Sequence, residues 1–154
     1  MQPRVLVRPV QPDDKQSWLA LWRAYCVELD GAVSDEATDG LWNRILAPND
    51  PIRCLVASVG GDKPSAFAHY VLHPHTFSLQ DVCYLEDIFV APAERGNGVG
   101  QALIESLIAL GRQHGWRRVY WHTHEDNRNA RALYDRIVHR TDYIRYDVDF
   151  GIRN

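Results

Sequence analysis

The chain has 154 residues, 45% of them hydrophobic and 24% charged, with a formal net charge of −3 at pH 7. That length suits a single domain, residues 1–154, able to bury a core without disulfide or metal staples, and the acidic balance argues against a nucleic-acid binder, whose footprint is basic. No apolar run approaches the roughly 20 residues that span a bilayer, and the apolar part of MQPRVLVRPVQPDD is too short and interrupted for a signal peptide, so a cytoplasmic location is expected.

In chain order, residues 4–9 alternate like a short strand, and Pro12, Asp13 and Asp14 then give the proline and acid signals of a helix start. Trp18, Leu21, Trp22, Tyr25 and Leu29 follow at helical spacing and form an apolar face. A second helix is predicted from Ser34, as N-cap, to about Ala47 before Pro48. Residues 53–59 read as a strand, Gly60-Gly61 as a tight turn and 65–72 as the hairpin partner. A strand over 82–90 leads into a glycine-rich loop and a helix from about Gly98 to His114, closed by Gly115. A strand over 117–123, a helix over 127–138 and a cleanly alternating segment complete the chain. That last segment sets Ile144, Tyr146, Val148 and Phe150 against Tyr143, Arg145, Asp147 and Asp149.

Three widely spaced cysteines, Cys26, Cys54 and Cys83, suggest reduced thiols rather than a disulfide framework or zinc knuckle. The histidines raise a metal reading, with His69, His73 and His75 close together and His122 and His124 two apart near Asp126. No His-x-x-x-His pair on a helix supports it, His73-Pro74-His75 reads as a loop, and no metal is expected.

The strongest chemical signal is Arg95-Gly96-Asn97-Gly98-Val99-Gly100-Gln101, directly ahead of a helix. Glycine admits positive φ and close backbone approach, and the first N–H groups of a helix attract anions, so the loop suits a phosphate. The dinucleotide fingerprint fails because Gln101 stands where its third glycine belongs, and the Gly-Lys-Ser/Thr loop fails because no lysine is present. The preceding strand, YLEDIFV, carries two acids, Glu86 and Asp87, in an otherwise apolar run, where a carboxylate needs a partner or a purpose.

The loop fits Arg/Gln-x-x-Gly-x-Gly/Ala, and Asn127-Arg-Asn-Ala130-Arg-Ala-Leu133-Tyr134 fits Asn-x-x-Ala-x-x-Leu/Phe-Tyr. With both motifs in register, the chain resembles the GNAT superfamily of acyl-CoA-dependent N-acyltransferases, and within it the histone and polyamine acetyltransferase branch. The resemblance implies an α/β fold: a mixed, mostly antiparallel twisted sheet of six to seven strands, splayed at its centre, with about four helices. It implies acetyl-CoA as cosubstrate, its pyrophosphate cradled by Arg95, Gly96, Asn97, Gly98, Val99, Gly100 and Gln101. The pantetheine arm would lie along the main chain of Ile88, Phe89 and Val90, with Asn127 and Ala130 beside it. Tyr134 would be the general acid for the departing thiolate.

An amine acceptor with a lysine-like pKa is neutral in about one molecule in 2,500 at pH 7, so a base is required. Glu86 is the first candidate and Asp87 the candidate for acceptor binding. Neighbours on a regular strand point to opposite faces, so both reach one cleft only through a β-bulge near Asp87. Five acids between Arg23 and Arg44, namely Glu28, Asp30, Asp35, Glu36 and Asp39, suggest a negative rim that steers cationic acceptors such as polyamines, lysine side chains or aminoglycosides. The ending Ile137-Val138-His139-Arg140-Thr141-Asp142-Tyr143 is longer than the Leu-Gly-Phe of many members, which affects the placement of the final strand and of a homodimer contact built from it. The expected activity is direct acetyl transfer to a primary amine in a ternary complex. The rival expectation is a non-catalytic acyl-CoA-binding sensor.

Overall fold

The computed structural model describes residues 3–61 and 63–152. Five strands form one sheet in the order β1-β2-β3-β4-β5: β1 Val5–Pro9, β2 Ile52–Val59, β3 Ala66–His75, β4 Ser78–Val90 and β5 Val119–Tyr120. The first four pair antiparallel and β5 joins β4 in parallel. Four helices pack on it: α1 Lys15–Glu28, α2 Asp35–Leu46, α3 Val99–His114 and α4 Arg128–Ile137.

β2 runs buried from Cys54 to Ser58 because both sheet faces are covered. On one face Leu55, Ala57, Ala68 and Leu85 meet Val99, Leu103, Ile104 and Leu107 of α3. On the other, Val56, Phe67 and Phe89 meet Trp18 and Leu21 of α1 and Trp42 and Ile45 of α2. The period-2 alternation of the strands and the helical spacing of α1 and α3 specify these two cores.

Helix ends follow local chemistry. The Ser34 hydroxyl accepts from the Ala37 N–H and caps α2, and Gly115, at φ 72°, closes α3. The 16-residue α3 thereby points its N-terminus toward the end of β4.

Four expectations change. Pro12–Asp14 is a 3-10 turn ahead of α1 rather than its first turn. The β2–β3 connection spans Gly60 to Ser65, longer than a two-residue turn. His73-Pro74-His75 belongs to β3, where a register irregularity accommodates a proline that cannot donate to a ladder. The 117–123 strand shrinks to Val119–Tyr120, and residues 143–150 join no strand among those described, so the sheet has five strands instead of six or seven. Tyr143, Ile144, Tyr146, Val148 and Phe150 are all exposed, because nothing in a single copy of the described chain covers them.

Arg8 and Asp14 tie β1 to the start of α1 through two hydrogen bonds, 2.6 and 2.9 Å, and Asp14 also accepts from the Gln11 N–H at 2.8 Å. Asp14 is buried, and the Arg8 hydrogen bond is the main reason its pKa lies below the usual carboxylate value. A depressed native pKa stabilises the fold fully above the unfolded value, about 4, and the benefit fades as pH falls through the lower native value. Chemical denaturation of Asp14→Asn should therefore show a loss of about 1–2 kcal/mol at pH 7 that shrinks toward zero as pH is lowered below about 4.

Candidate active site

β4 outruns its parallel neighbour. The β4–β5 register is limited to Cys83↔Val119 and Tyr84↔Tyr120, after which β5 ends while β4 continues to Val90. The Leu85–Val90 edge facing away from β3 is left open. The Ala91 N–H donates to the Ser65 carbonyl, which sets the phase of the ladder. Phe89 sits in a hydrogen-bonded pair position with Phe67, while Ile88 and Val90 turn their main-chain groups toward the open edge. Of the three residues assigned to an extended ligand, Phe89 therefore has its main chain committed to the sheet. The Val90 carbonyl accepts from Arg95 Nε at 2.9 Å.

A register shift in the β3–β4 pairing falls between His69 and Tyr70: His69 faces Asp87, Tyr70 faces Leu85, and Glu86 is the extra residue. This bulge re-aims the side chains of two sequence neighbours. Glu86 and Asp87 together line a cleft of about 460 Å³, with Trp22, Leu41, Arg44, Pro51, Ile52, His69 and Val71. Neither acid is fully buried: Glu86 is exposed as a residue and Asp87 half-buried. Partial desolvation of its carboxyl, then the charge of Asp87, raise the pKa of Glu86, and Arg145 opposes them. Asp87 accepts from the Tyr25 hydroxyl at 2.9 Å and pairs with His69 Nδ1 at 2.9 Å.

At the other end of the open edge lies the glycine loop. Gly96 (φ 85°) and Gly98 (φ 77°) adopt left-handed conformations that side chains disfavour, and no atom lies within 4 Å of a Cβ built on either. Gly98 is the N-cap of α3, so the free N–H groups of the first helical turn face this opening beside exposed Arg95, Gly96 and Asn97. Such a cradle suits a pyrophosphate, and the open β4 edge suits an extended arm bearing amides. Arg95 is drawn partly away, donating to Glu28 at 2.8 Å and lying 5.4 Å above the Phe89 ring.

Tyr134, on α4, is half-buried and packs edge-on against Trp121 with ring centroids 5.4 Å apart. Desolvation raises its pKa, keeping the phenol protonated at neutral pH. Asn127 caps the same helix, its Oδ1 accepting from the Ala130 N–H at 3.3 Å, while its amide donates to Thr123 at 3.3 Å. The Asn-x-x-Ala spacing is thus an N-cap that fixes where α4 begins and where Tyr134 projects.

Among the described residues no three His, Cys, Asp or Glu side chains gather as a metal site. His73 lies 3.0 Å from the Tyr120 hydroxyl, His75 2.8 Å from Arg118 and His122 3.3 Å from the Tyr84 hydroxyl. His122 and His124 lie beyond β5, so the strand face expected to pair them does not form. None of Glu28, Asp30, Asp35, Glu36 and Asp39 is among the residues lining the Glu86–Asp87 cleft, and Glu28 and Asp35 are paired with Arg95 and Arg23. His69, Arg44, Tyr84 and Tyr120 were not singled out for this site by the sequence reading. Tyr84 and Tyr120 pack with ring centroids 5.0 Å apart and planes tilted by 30°, and both feel the charge of Glu86. Alternation along 82–90 places Tyr84 and Glu86 on one face, the one sequence signal that pointed to this wall.

The sequence profile described as the acetyltransferase (GNAT) family matches residues 16–139. The D-amino-acid N-acetyltransferase HPA3 of Saccharomyces cerevisiae is 29% identical over 147 residues, covering 93% of this chain and 89% of its own. Among solved structures, the ribosomal-protein-alanine N-acetyltransferase of Brucella melitensis biovar Abortus 2308 superposes with a TM-score of 0.78 at 21% identity, over 96% of this chain and 100% of that one. The aminoglycoside N-acetyltransferase AAC(6')-Iy in complex with CoA does so with a TM-score of 0.80 at 20% identity, over 97% of each. These two likenesses establish the fold, and the profile establishes the family. The chain belongs to the GNAT family and is an acetyl-CoA-dependent N-acetyltransferase.

Proposed function

We propose that the chain acetylates a primary amine held in the Glu86–Asp87 cleft, by direct attack within a ternary complex. The observation that carries this reading is the bulge at Glu86, which puts two carboxylates on one cleft beside the open edge of β4. When bound, acetyl-CoA supplies an electrophilic thioester carbonyl and a thiolate leaving group. The loop from Arg95 to Gln101 and the main chain of Ile88 and Val90 hold it, and a main-chain N–H on the open edge polarises the carbonyl. Asp87 binds the acceptor as an ammonium, and Glu86 takes its proton, directly or through a water. Deprotonating a lysine-like amine at pH 7 costs about 4.6 kcal/mol, so a base whose pKa is raised toward neutrality is well matched. Tyr134 returns a proton to the leaving sulfur. The buried Cys83 thiol is pushed up to about 12, unsuited to a covalent acyl-enzyme.

A cationic acceptor is favoured by the two carboxylates and by Tyr84 and Tyr120, whose ring faces suit an ammonium. Polyamines, lysine side chains and aminoglycosides all fit this chemistry, and the first two would place the chain with the histone and polyamine branch. A second reading, an amino acid acceptor, is favoured by Arg44, which lines the same cleft and offers a guanidinium to a carboxylate. The D-amino-acid relative points the same way. The reaction is assigned to the cytoplasm, in keeping with three free cysteines. The exposed alternating residues 143–150 are assigned to a homodimer contact, since a second copy would cover Ile144, Tyr146, Val148 and Phe150.

Thiol release from acetyl-CoA with spermidine, spermine, a lysine peptide, D-lysine and neamine tests the activity. Turnover is expected with at least one amine, and Tyr134→Phe should lower kcat about tenfold or more while acetyl-CoA binding persists. Silence across the panel with intact acetyl-CoA binding would favour the sensor. In sedimentation, the native chain should run as a dimer and Tyr146→Asp/Val148→Asp as a folded monomer. A native monomer would remove the dimer proposal.

A further inference from the structure

His69 is 1% exposed and uses both ring nitrogens. Trp18 Nε1 donates to His69 Nε2 at 2.9 Å, and His69 Nδ1 lies 2.9 Å from Asp87 Oδ2. An indole N–H can only donate, so Nε2 must hold the lone pair and the proton of the neutral ring must sit on Nδ1. That proton can only be donated to Asp87, which makes Oδ2 an acceptor. Tyr25 supplies the matching bond to Oδ1 at 2.9 Å.

Trp18 is fully buried, stacked on Trp22 at 6.1 Å and against Trp42 at 5.0 Å, so it has no room to turn away. The Phe67 ring closes the other side of His69 at 4.5 Å. Glu86 lacks these ties: no hydrogen bond reaches its carboxyl among the described residues, whereas Asp87 has a donor on each oxygen.

We propose that Trp18, His69 and Tyr25 are positioning residues that hold the Asp87 carboxylate oriented for the acceptor's ammonium group, with Trp18 fixing the tautomer of His69. This rests on the proposed acceptor role of Asp87. The other groups facing this pair are Glu86 from β4, Tyr25 and Cys26 from α1, Cys54 from β2 and Arg44 from α2. Burial, and then the charge of Asp87, push the Tyr25 phenol well above its ordinary value, so it remains a donor. Burial likewise keeps Cys54 a neutral thiol. The arrangement divides labour between neighbours: the tied acid binds and the untied acid accepts the proton.

Nitrogen-15 NMR of histidine-labelled protein, which needs no acceptor, tests the relay. His69 should show a protonated Nδ1 and an unprotonated Nε2 in the native chain, and Trp18→Phe, which removes the donor to Nε2, should lose that tautomer preference. The opposite tautomer in the native chain would overturn the proposal. Kinetics with spermidine and D-lysine test its purpose. His69→Leu, which cannot donate, should raise acceptor KM about tenfold or more with kcat within about twofold, whereas His69→Asn, whose amide can still donate to Asp87, should stay within about threefold of native KM. Should Trp18→Phe not fold, the Leu and Asn pair decides alone. Equal losses in KM for both, or a loss confined to kcat, would contradict a positioning role. An intact tautomer in a chain that acetylates neither probe would overturn only the acceptor role of Asp87, separating the two readings.

Discussion

One extra residue in β4 organises this molecule's chemistry. Without a bulge opposite the His69–Tyr70 junction, strict alternation would send Glu86 and Asp87 to opposite faces of the sheet, one toward each core. With it, both carboxylates meet one cleft, while the strand beyond resumes regular pairing with β3 and keeps Ile88 and Val90 turned to the open edge. The bulge therefore joins the proposed acceptor cleft to the proposed cofactor edge on a single strand. The rest of the fold fixes that strand: two cores clamp the sheet from both faces, and the glycine loop launches α3 where β4 ends.

The site also shows how sequence neighbours acquire different tasks. Asp87 is tied on both oxygens, by Tyr25 from α1 and by His69 from β3, whereas the Glu86 carboxyl is partly desolvated and raised further by Asp87 itself. Like charges close together push one carboxyl toward the protonated form, the one suited to exchanging a proton near neutral pH. Tyr134, the proposed acid, lies on a separate helix whose start is fixed by the Asn127 cap, so the proposed acid and base sit on different elements.

Much of this was legible in the chain because it is local. Positive-φ glycines, the Ser34 and Asn127 caps, and the spacing of α1 and α3 are set within a few residues. Two charges in an apolar strand posed the question of a bulge, because a regular strand sends neighbours to opposite faces and only the strand pairing itself could answer it. What stayed hidden is non-local. The Trp18–His69 bond joins residues 51 apart, and separately Trp18 reads as part of an apolar helix face and His69 as a strand residue. The alternation of residues 143–150 has the form of a strand, yet among the described residues the segment pairs with none. The acidic run between Arg23 and Arg44 supplies no lining residue of the cleft, and two of its members form surface ion pairs.

The pH dependence of kcat/KM for the amine, measured for the native chain and Glu86→Gln, is the most direct test of the bulge's role. Because the Glu86 pKa is raised, its carboxylate is lost as pH falls through a value above that of ordinary glutamate, and the native rate should fall there in addition to the amine's own titration. Glu86→Gln should lower the rate about 100-fold and lose that added acid-side fall. A Glu86→Gln enzyme with native rate and native profile would contradict the account.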